Sequence, residues 1–120
     1  MKKLITLAFA TLLIVACSKD QQASRKLDGV WKLTQINDIA VDEDVNEQLI
    51  FEKGKDGGGT GSDVETKGGD TSSSAFTYKV RGDELIIEDS GDIDSLIIIT
   101  LDNKNLKLND GDDSYSYEKQ

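Results

Sequence analysis

The sequence predicts an all-β domain, built as a single up-and-down antiparallel meander. Three observations carry this. From Leu27 onward, apolar and polar residues alternate with a period of two, and no stretch shows a long helical stripe. The 120 residues contain no proline, so no strand is interrupted by a missing backbone donor. Between the alternating runs lie Gly, Asn and Asp, which tolerate the positive φ of tight hairpin turns.

Seven strands follow in order. Val30–Ile36 places Trp31 and Leu33 on one face, and Glu47–Lys53 does the same with Leu49 and Phe51. Ser74–Arg81 aligns Phe76, Tyr78 and Val80, and Glu84–Glu88 offers Leu85 and Ile87. Ser95–Leu101 is apolar on both faces, with Ile97, Ile99 and Leu101 as its inward set. Asn105–Asn109 contributes Leu106 and Leu108, and Ser114–Glu118 contributes Tyr115 and Tyr117. The turns are Arg81-Gly82-Asp83, Ser90-Gly91-Asp92, Asp102 to Asn105 and Asn109 to Asp112. Asp38–Asn46 has room for a turn of helix. Seven of the 11 glycines fall in Gly54–Gly69. This stretch, through Ser74, is expected to be a long flexible loop, exchanging fast and cleaved first; an eighth strand within Gly58–Thr66 has only Val64 to support it. Short neighbouring strands of this kind either close into a barrel or form a sandwich.

The N-terminus reads as an address. Met1-Lys2-Lys3 is a short positive segment, and Leu4–Ala16 is an uncharged run of 13 residues, below the roughly 20 a spanning helix needs. Residues 1–16 are expected to be a removed signal peptide. Cleavage would take Lys2 and Lys3 away, leaving 12 basic against 23 acidic residues and a net charge of −11. Such a chain is repelled by phosphate backbones, so a nucleic-acid partner is disfavoured. With no His, Ser-His-Asp and Cys-His catalysis and the commonest zinc ligand are excluded; the single Cys forms no internal disulfide.

Ile14-Val15-Ala16-Cys17 resembles the lipobox of bacterial lipoproteins. The resemblance implies that Cys17 becomes the mature N-terminus and carries acyl chains holding the protein on a membrane. Ser18 rather than Asp then implies the outer membrane, and Ser18-Lys19-Asp20 is similar to the export signal of surface lipoproteins in the Bacteroidota. Residues 17–26 are read as the lipidated Cys and a polar tether, and 27–120 as the domain.

Gly29-x-Trp31 on the first strand resembles the lipocalin signature, in which the Trp closes one end of an eight-stranded barrel. Leu49-Ile50-Phe51 before a Lys/Asp/Gly-rich turn is similar to small lipocalin-like domains of bacterial lipoproteins. So are the Tyr78-x-Val80-x-Gly82-Asp83-x-Leu85-x-Ile87 run, Leu106-x-Leu108 and the aromatic last strand. The Arg that often packs on that Trp is absent, and Lys119 stands nearest its place. The resemblance implies an eight-stranded up-and-down barrel able to hold a small hydrophobic molecule; a monomer without a cofactor is expected. Trp31, Leu33, Leu49, Phe51, Phe76, Tyr78, Ile87, Ile99, Leu108 and Tyr117 either line that cavity or fill the core, since eight strands enclose just enough space for either.

Two function classes stay open. One is a non-catalytic binding lipoprotein of the outer membrane. The other is a filled barrel whose loops contact an envelope protein or inhibit an external protease. Arg81-Gly82-Asp83 is read as a turn rather than an adhesion motif. The groups Asp89/Asp92/Asp94 and Asp110/Asp112/Asp113 lack the order of an EF-hand and are read as solvated turns, so no metal site is expected. The Gly-rich stretch lacks the Gly-Lys-Ser/Thr end of a P-loop. All carboxylates are read as lying in turns or on the wet face, so no active site is expected; a buried pair in a cleft would change that.

Overall fold

The computed structural model describes residues 22–55 and 57–120. The expected signal peptide, Cys17 and the Ser18-Lys19-Asp20 signal lie outside the described residues. A short helix, α1 (22–27), precedes nine strands among the described residues. These are β1 (Gly29–Ile36), β2 (Ile39–Ala40), β3 (Asn46–Lys53), β4 (Gly58–Lys67) and β5 (Asp70–Arg81), then β6 (Glu84–Asp89), β7 (Asp92–Leu101), β8 (Asn105–Asn109) and β9 (Ser114–Lys119). From β3 to β9 each strand pairs with the next, β1 pairs with β3, and β9 returns to β1. Every pairing is antiparallel, giving a closed eight-stranded up-and-down barrel; of the two outcomes the alternation leaves open, barrel or sandwich, the chain takes the closed one. The extra strand β2 folds back on the end of β1, where a helical turn was expected. Closure removes the unpaired edges that would recruit other chains.

The inward faces are set by register. Trp31 opposes Leu49, Tyr78 opposes Ile87, and Leu106 opposes Tyr117, so the predicted faces of β1, β3, β5, β6, β8 and β9 meet inside. Phe51 packs edge-on against Phe76 and Tyr78, with ring centroids 5.7 and 5.2 Å apart. Strand β7 corrects the sequence reading. Its apolar run gave no phase, and Ile97 and Ile99 were expected inside. Leu96 opposes the fully buried Leu85, so Leu96 and Ile98 face in, and Ile97 and Ile99 face water at 45% and 52% exposure. A bulge between Ile98 and Thr100 then restores the phase, and Leu101 packs inward opposite Leu106.

The Gly54–Ser74 segment is a second correction. It is no loop: β4 pairs along its whole length with β5, from Gly58–Lys79 to Lys67–Asp70, and with β3 on its other side. The glycines are there for the aromatic neighbours. Gly59 lies opposite Tyr78 and Gly61 opposite Phe76, and an added Cβ would run into those rings. The tip needs glycine for another reason, since Gly68 and Gly69 form a two-residue turn at φ 58° and 90°.

One end of the barrel is plugged. Residues 22–26, expected as tether, instead form most of α1, which lies over this end. Ser24 and Leu27 are buried, and Ala23 packs on the core. Trp31 is fully buried beneath the helix, and its Nε1 donates to the Leu27 carbonyl at 2.7 Å. Lys119 Nζ sits 5.4 Å from the Trp31 ring and donates to the Lys26 carbonyl at 3.3 Å. Lys119 thus fills the position whose Arg is missing.

Candidate functional site

The opposite end is open. Strand direction brings the turns after β1, β4, β6 and β8 there, and the side chains facing in change from apolar to acidic. Along β3 the inward phase of Phe51 and Leu49 continues to Glu47. On β4, Gly61, Asp63 and Glu65 oppose Phe51, Leu49 and Glu47, so Asp63 and Glu65 share the same inner wall. Carboxylate oxygens of Glu47, Asp63 and Glu65 lie within 4.8 Å of one another.

A cavity of about 420 Å³ opens at this mouth. Its apolar lining is Leu49, Phe76, Ile87 and Leu96. Its acidic lining is Asp63, Asp89, Asp94 and Asp110, with the hydroxyl of Ser74 beside them. That size falls within the range of small-molecule pockets, about 300–1,000 Å³, and so does the mixture of an apolar floor with a few polar groups.

The electrostatics follow from crowding. Burial and the neighbouring Asp63 and Glu65 carboxylates push Glu47 up from its ordinary value of 4.5 to about 7. Asp63 is raised by burial and by Glu65, opposed by its hydrogen bond with Glu47. That bond needs a proton between the two carboxyls, and Asp63 Oδ1 is buried with no hydrogen-bond partner. Burial, and then the negative field of Glu47 and Asp63, also raises Tyr117. The expectation that every carboxylate lies in a turn or on the wet face is therefore wrong for Glu47 and Asp63. The sequence carried one usable signal: Glu47 stands in phase with Leu49 and Phe51. As an acid–base couple the pair is poorly arranged. Its members sit side by side on adjacent strands of one wall, whereas glycoside cleavage needs carboxylates flanking the scissile bond.

The pair has a consequence for stability. A carboxyl whose folded value is raised binds its proton more tightly folded than unfolded. Its stabilising effect is full below pH 4.5 and is lost as pH rises through about 7. We expect wild type to lose about 1 kcal/mol between pH 5 and pH 8, a figure discounted because the mouth is open to water. Glu47→Gln should flatten that slope and melt higher than wild type at pH 8. Urea melts at the two pH values check it, and an unchanged slope would place the titrating group elsewhere.

Two acidic turns satisfy one oxygen of a carboxylate from their own backbone, while Asp89, Asp94 and Asp110 also line the cavity. Asp110 Oδ1 accepts the backbone N–H groups of Asp112 and Asp113, and Asp102 Oδ1 those of Lys104 and Asn105. These bonds hold both carboxyls below the ordinary carboxylate value. Arg81-Gly82-Asp83 forms the expected turn between β5 and β6, with Gly82 at φ 59°.

The ten residues expected to line a cavity or fill a core divide three ways. Trp31, Leu33, Phe51, Tyr78, Leu108 and Tyr117 are buried in the packed interior; Leu49, Phe76 and Ile87 line the cavity; and Ile99 is outside.

A closed up-and-down barrel, plugged at one end and hollow at the other, defines a calyx-type binding fold. The sequence matches the family model of the lipocalin-like domain over residues 27–108, and the chain belongs to that family. No curated protein matches it in sequence. Among solved structures it is similar to a lipocalin-like protein from Bacteroides uniformis. The TM-score is 0.63 and the identity 20%, covering 79% of this chain and 99% of that one. It is also similar to Japanin from Rhipicephalus appendiculatus, solved bound to cholesterol. There the TM-score is 0.59 and the identity 17%, covering 76% of this chain and 74% of that one. At these identities the likeness is one of fold, and the fold is typically a non-enzymatic binding one.

Proposed function

We propose that the protein is a lipid-anchored lipoprotein of a bacterial outer membrane whose barrel binds a small hydrophobic molecule. The observation that carries the binding half is the cavity of about 420 Å³ above Leu49, Phe76, Ile87 and Leu96, at the end of the barrel opposite α1. Japanin, of like fold, was solved with cholesterol bound, which supports the same use of the calyx. Native mass spectrometry of the protein purified from its own host tests it. We expect a retained small molecule, released on denaturation; a species at the bare lipoprotein mass throughout would reject the reading.

The anchoring half rests on Ile14-Val15-Ala16-Cys17 behind a charged and then apolar leader. Cys17→Ala should leave an uncleaved precursor or release the protein from membrane fractions. Normal maturation and detergent partitioning of that variant would reject the lipobox.

A second reading has its own observation. Ile93, Ile97 and Ile99 stand exposed along the outer face of β7, a strip suited to protein contact. Under the interaction reading the barrel comes out empty and co-purifies in fixed ratio with an envelope protein.

A further inference from the structure

The ends of the barrel differ sharply in charge. The segments at the open end, 37–47, 63–70, 88–94 and 110–113, carry 15 acidic residues and one base, Lys67, and Lys107 of β8 reaches in to pair with Asp38 at 2.8 Å. The segments at the plugged end, 25–28, 53–55, 79–84, 102–104 and 118–119, carry eight bases and five acids. Among the described residues the net charge is thus concentrated around the mouth of the cavity. Low-dielectric walls focus such a field into the opening and raise the local concentration of cations there.

The cavity repeats the pattern inside. Its floor is apolar, and above it stand the carboxylates of Asp63, Asp89, Asp94 and Asp110, with Glu47 and Glu65 on the same wall as Asp63. No Lys or Arg lines it. A fatty acid entering tail-first would leave its own carboxylate among these, a like-charge contact without a partner. A neutral sterol or alcohol can donate one hydroxyl to Asp63 Oδ1, but it brings no positive charge to the carboxylates around it. An ammonium group on an apolar body satisfies both halves, because the body covers Leu49, Phe76, Ile87 and Leu96 while the cation lies between carboxylates. The apolar floor distinguishes such a ligand from a bare metal ion, which has no use for it.

We propose that the calyx selects a cationic amphiphile, an ammonium head on an apolar tail, and rejects anionic lipids of the same tail. This rests on the reading of the barrel as a small-molecule binder and deepens it. On binding, the head displaces the proton shared by Glu47 and Asp63, so affinity rises with pH as these two groups ionise. Glu65, Asp89, Asp94 and Asp110 face the same space; backbone hydrogen bonds hold Asp110 below the ordinary carboxylate value, and burial raises Tyr115 and Tyr117 so that both stay neutral.

The test uses the mature chain, calorimetry below micelle-forming concentrations, and probes sharing one tail: dodecyltrimethylammonium, dodecanol and dodecanoate. Tetramethylammonium and calcium chloride serve as head-only and metal probes. We expect saturable one-to-one binding of dodecyltrimethylammonium, at least tenfold tighter than dodecanol, and none of dodecanoate. Asp63→Asn and Asp94→Asn, made separately and checked by melting, should each weaken it at least fivefold. Glu52→Gln with Glu118→Gln removes two charges from the outer wall and should change it less than twofold. Equal binding of all three tailed probes would overturn the charge selection yet leave the hydrophobic-binding function standing. Equal binding of tetramethylammonium or calcium, or equal loss in the outer-wall variant, would also overturn it, as an ion site or a surface attraction. No binding of any tailed probe would reject the binding function itself.

Discussion

Trp31→Ala is expected to cost about 3–5 kcal/mol, the usual cost of removing a large buried aromatic. Trp31 has no exposed surface. It touches α1 above through the 2.7 Å bond to the Leu27 carbonyl and carries Lys119 on its ring. Truncation empties the plugged end and leaves that carbonyl without its donor. It also undocks a helix whose other described ties are Leu27, Ala23, the 3.3 Å bond from Lys119 Nζ to the Lys26 carbonyl and the 3.4 Å contact of Ser24 Oγ with the Tyr78 hydroxyl. A domain of this size has roughly 5–15 kcal/mol in total, so the variant should lose most of it and melt roughly 15–30 °C lower. Thermal and urea melts followed by far-UV circular dichroism measure this. Trp31→Phe fills much of the space but lacks the N–H donor, and should fall between the two. Wild-type emission should be blue-shifted and indifferent to probes that enter the mouth, because the packed layer of Phe51, Tyr78 and Leu85 separates the two ends. A water-like emission would mean that the helix does not cover the Trp.

The same residues show what the sequence could and could not convey. Strands with one apolar face, such as Val30–Ile36 and Asn105–Asn109, announced both their existence and their phase, because a period of two fixes which side is buried. Ser95–Leu101 announced a strand without a phase, and only the cross-strand partner Leu85 decided that Leu96 goes in and Ile97 out. The β4 strand was illegible because its stability comes from its neighbours. It has almost no apolar side chain of its own, and its glycines leave room for Phe76 and Tyr78, which belong to β5. Residues 22–26 look polar in sequence and become helix only because Leu27 and Trp31 give the turn something to sit on. The acidic wall was half visible. Glu47 could be seen in the inward phase of β3, but Asp63 and Glu65 acquire a face only once β4 is known to pair with β3.

Gly61→Ala is the next most damaging change we expect, although it adds a single methyl group. The new Cβ would lie 2.6 Å from two carbons of the Phe76 ring and against the Ile50 carbonyl oxygen of β3, closer than packed atoms tolerate. The carbonyl belongs to a strand paired on both sides and has no room to retreat. The ring can move only toward Phe51, whose centroid is 5.7 Å away, or into the cavity that Phe76 lines. Overpacking of this kind costs about 1–3 kcal/mol, and contact with a fixed backbone puts this site at about 3. Gly68→Ala is the control. It meets nothing within 4 Å, so only its φ of 58° is strained, and it should cost about 1 kcal/mol. Combining Gly61→Ala with Phe76→Leu separates the two obstacles. Partial recovery relative to the sum of the single variants assigns the clash to the ring; additive losses assign it to the Ile50 carbonyl. If Gly61→Ala melts like wild type, then β4 does not run beneath Phe76 in this register, and the wall bearing Asp63 and Glu65 has to be redrawn.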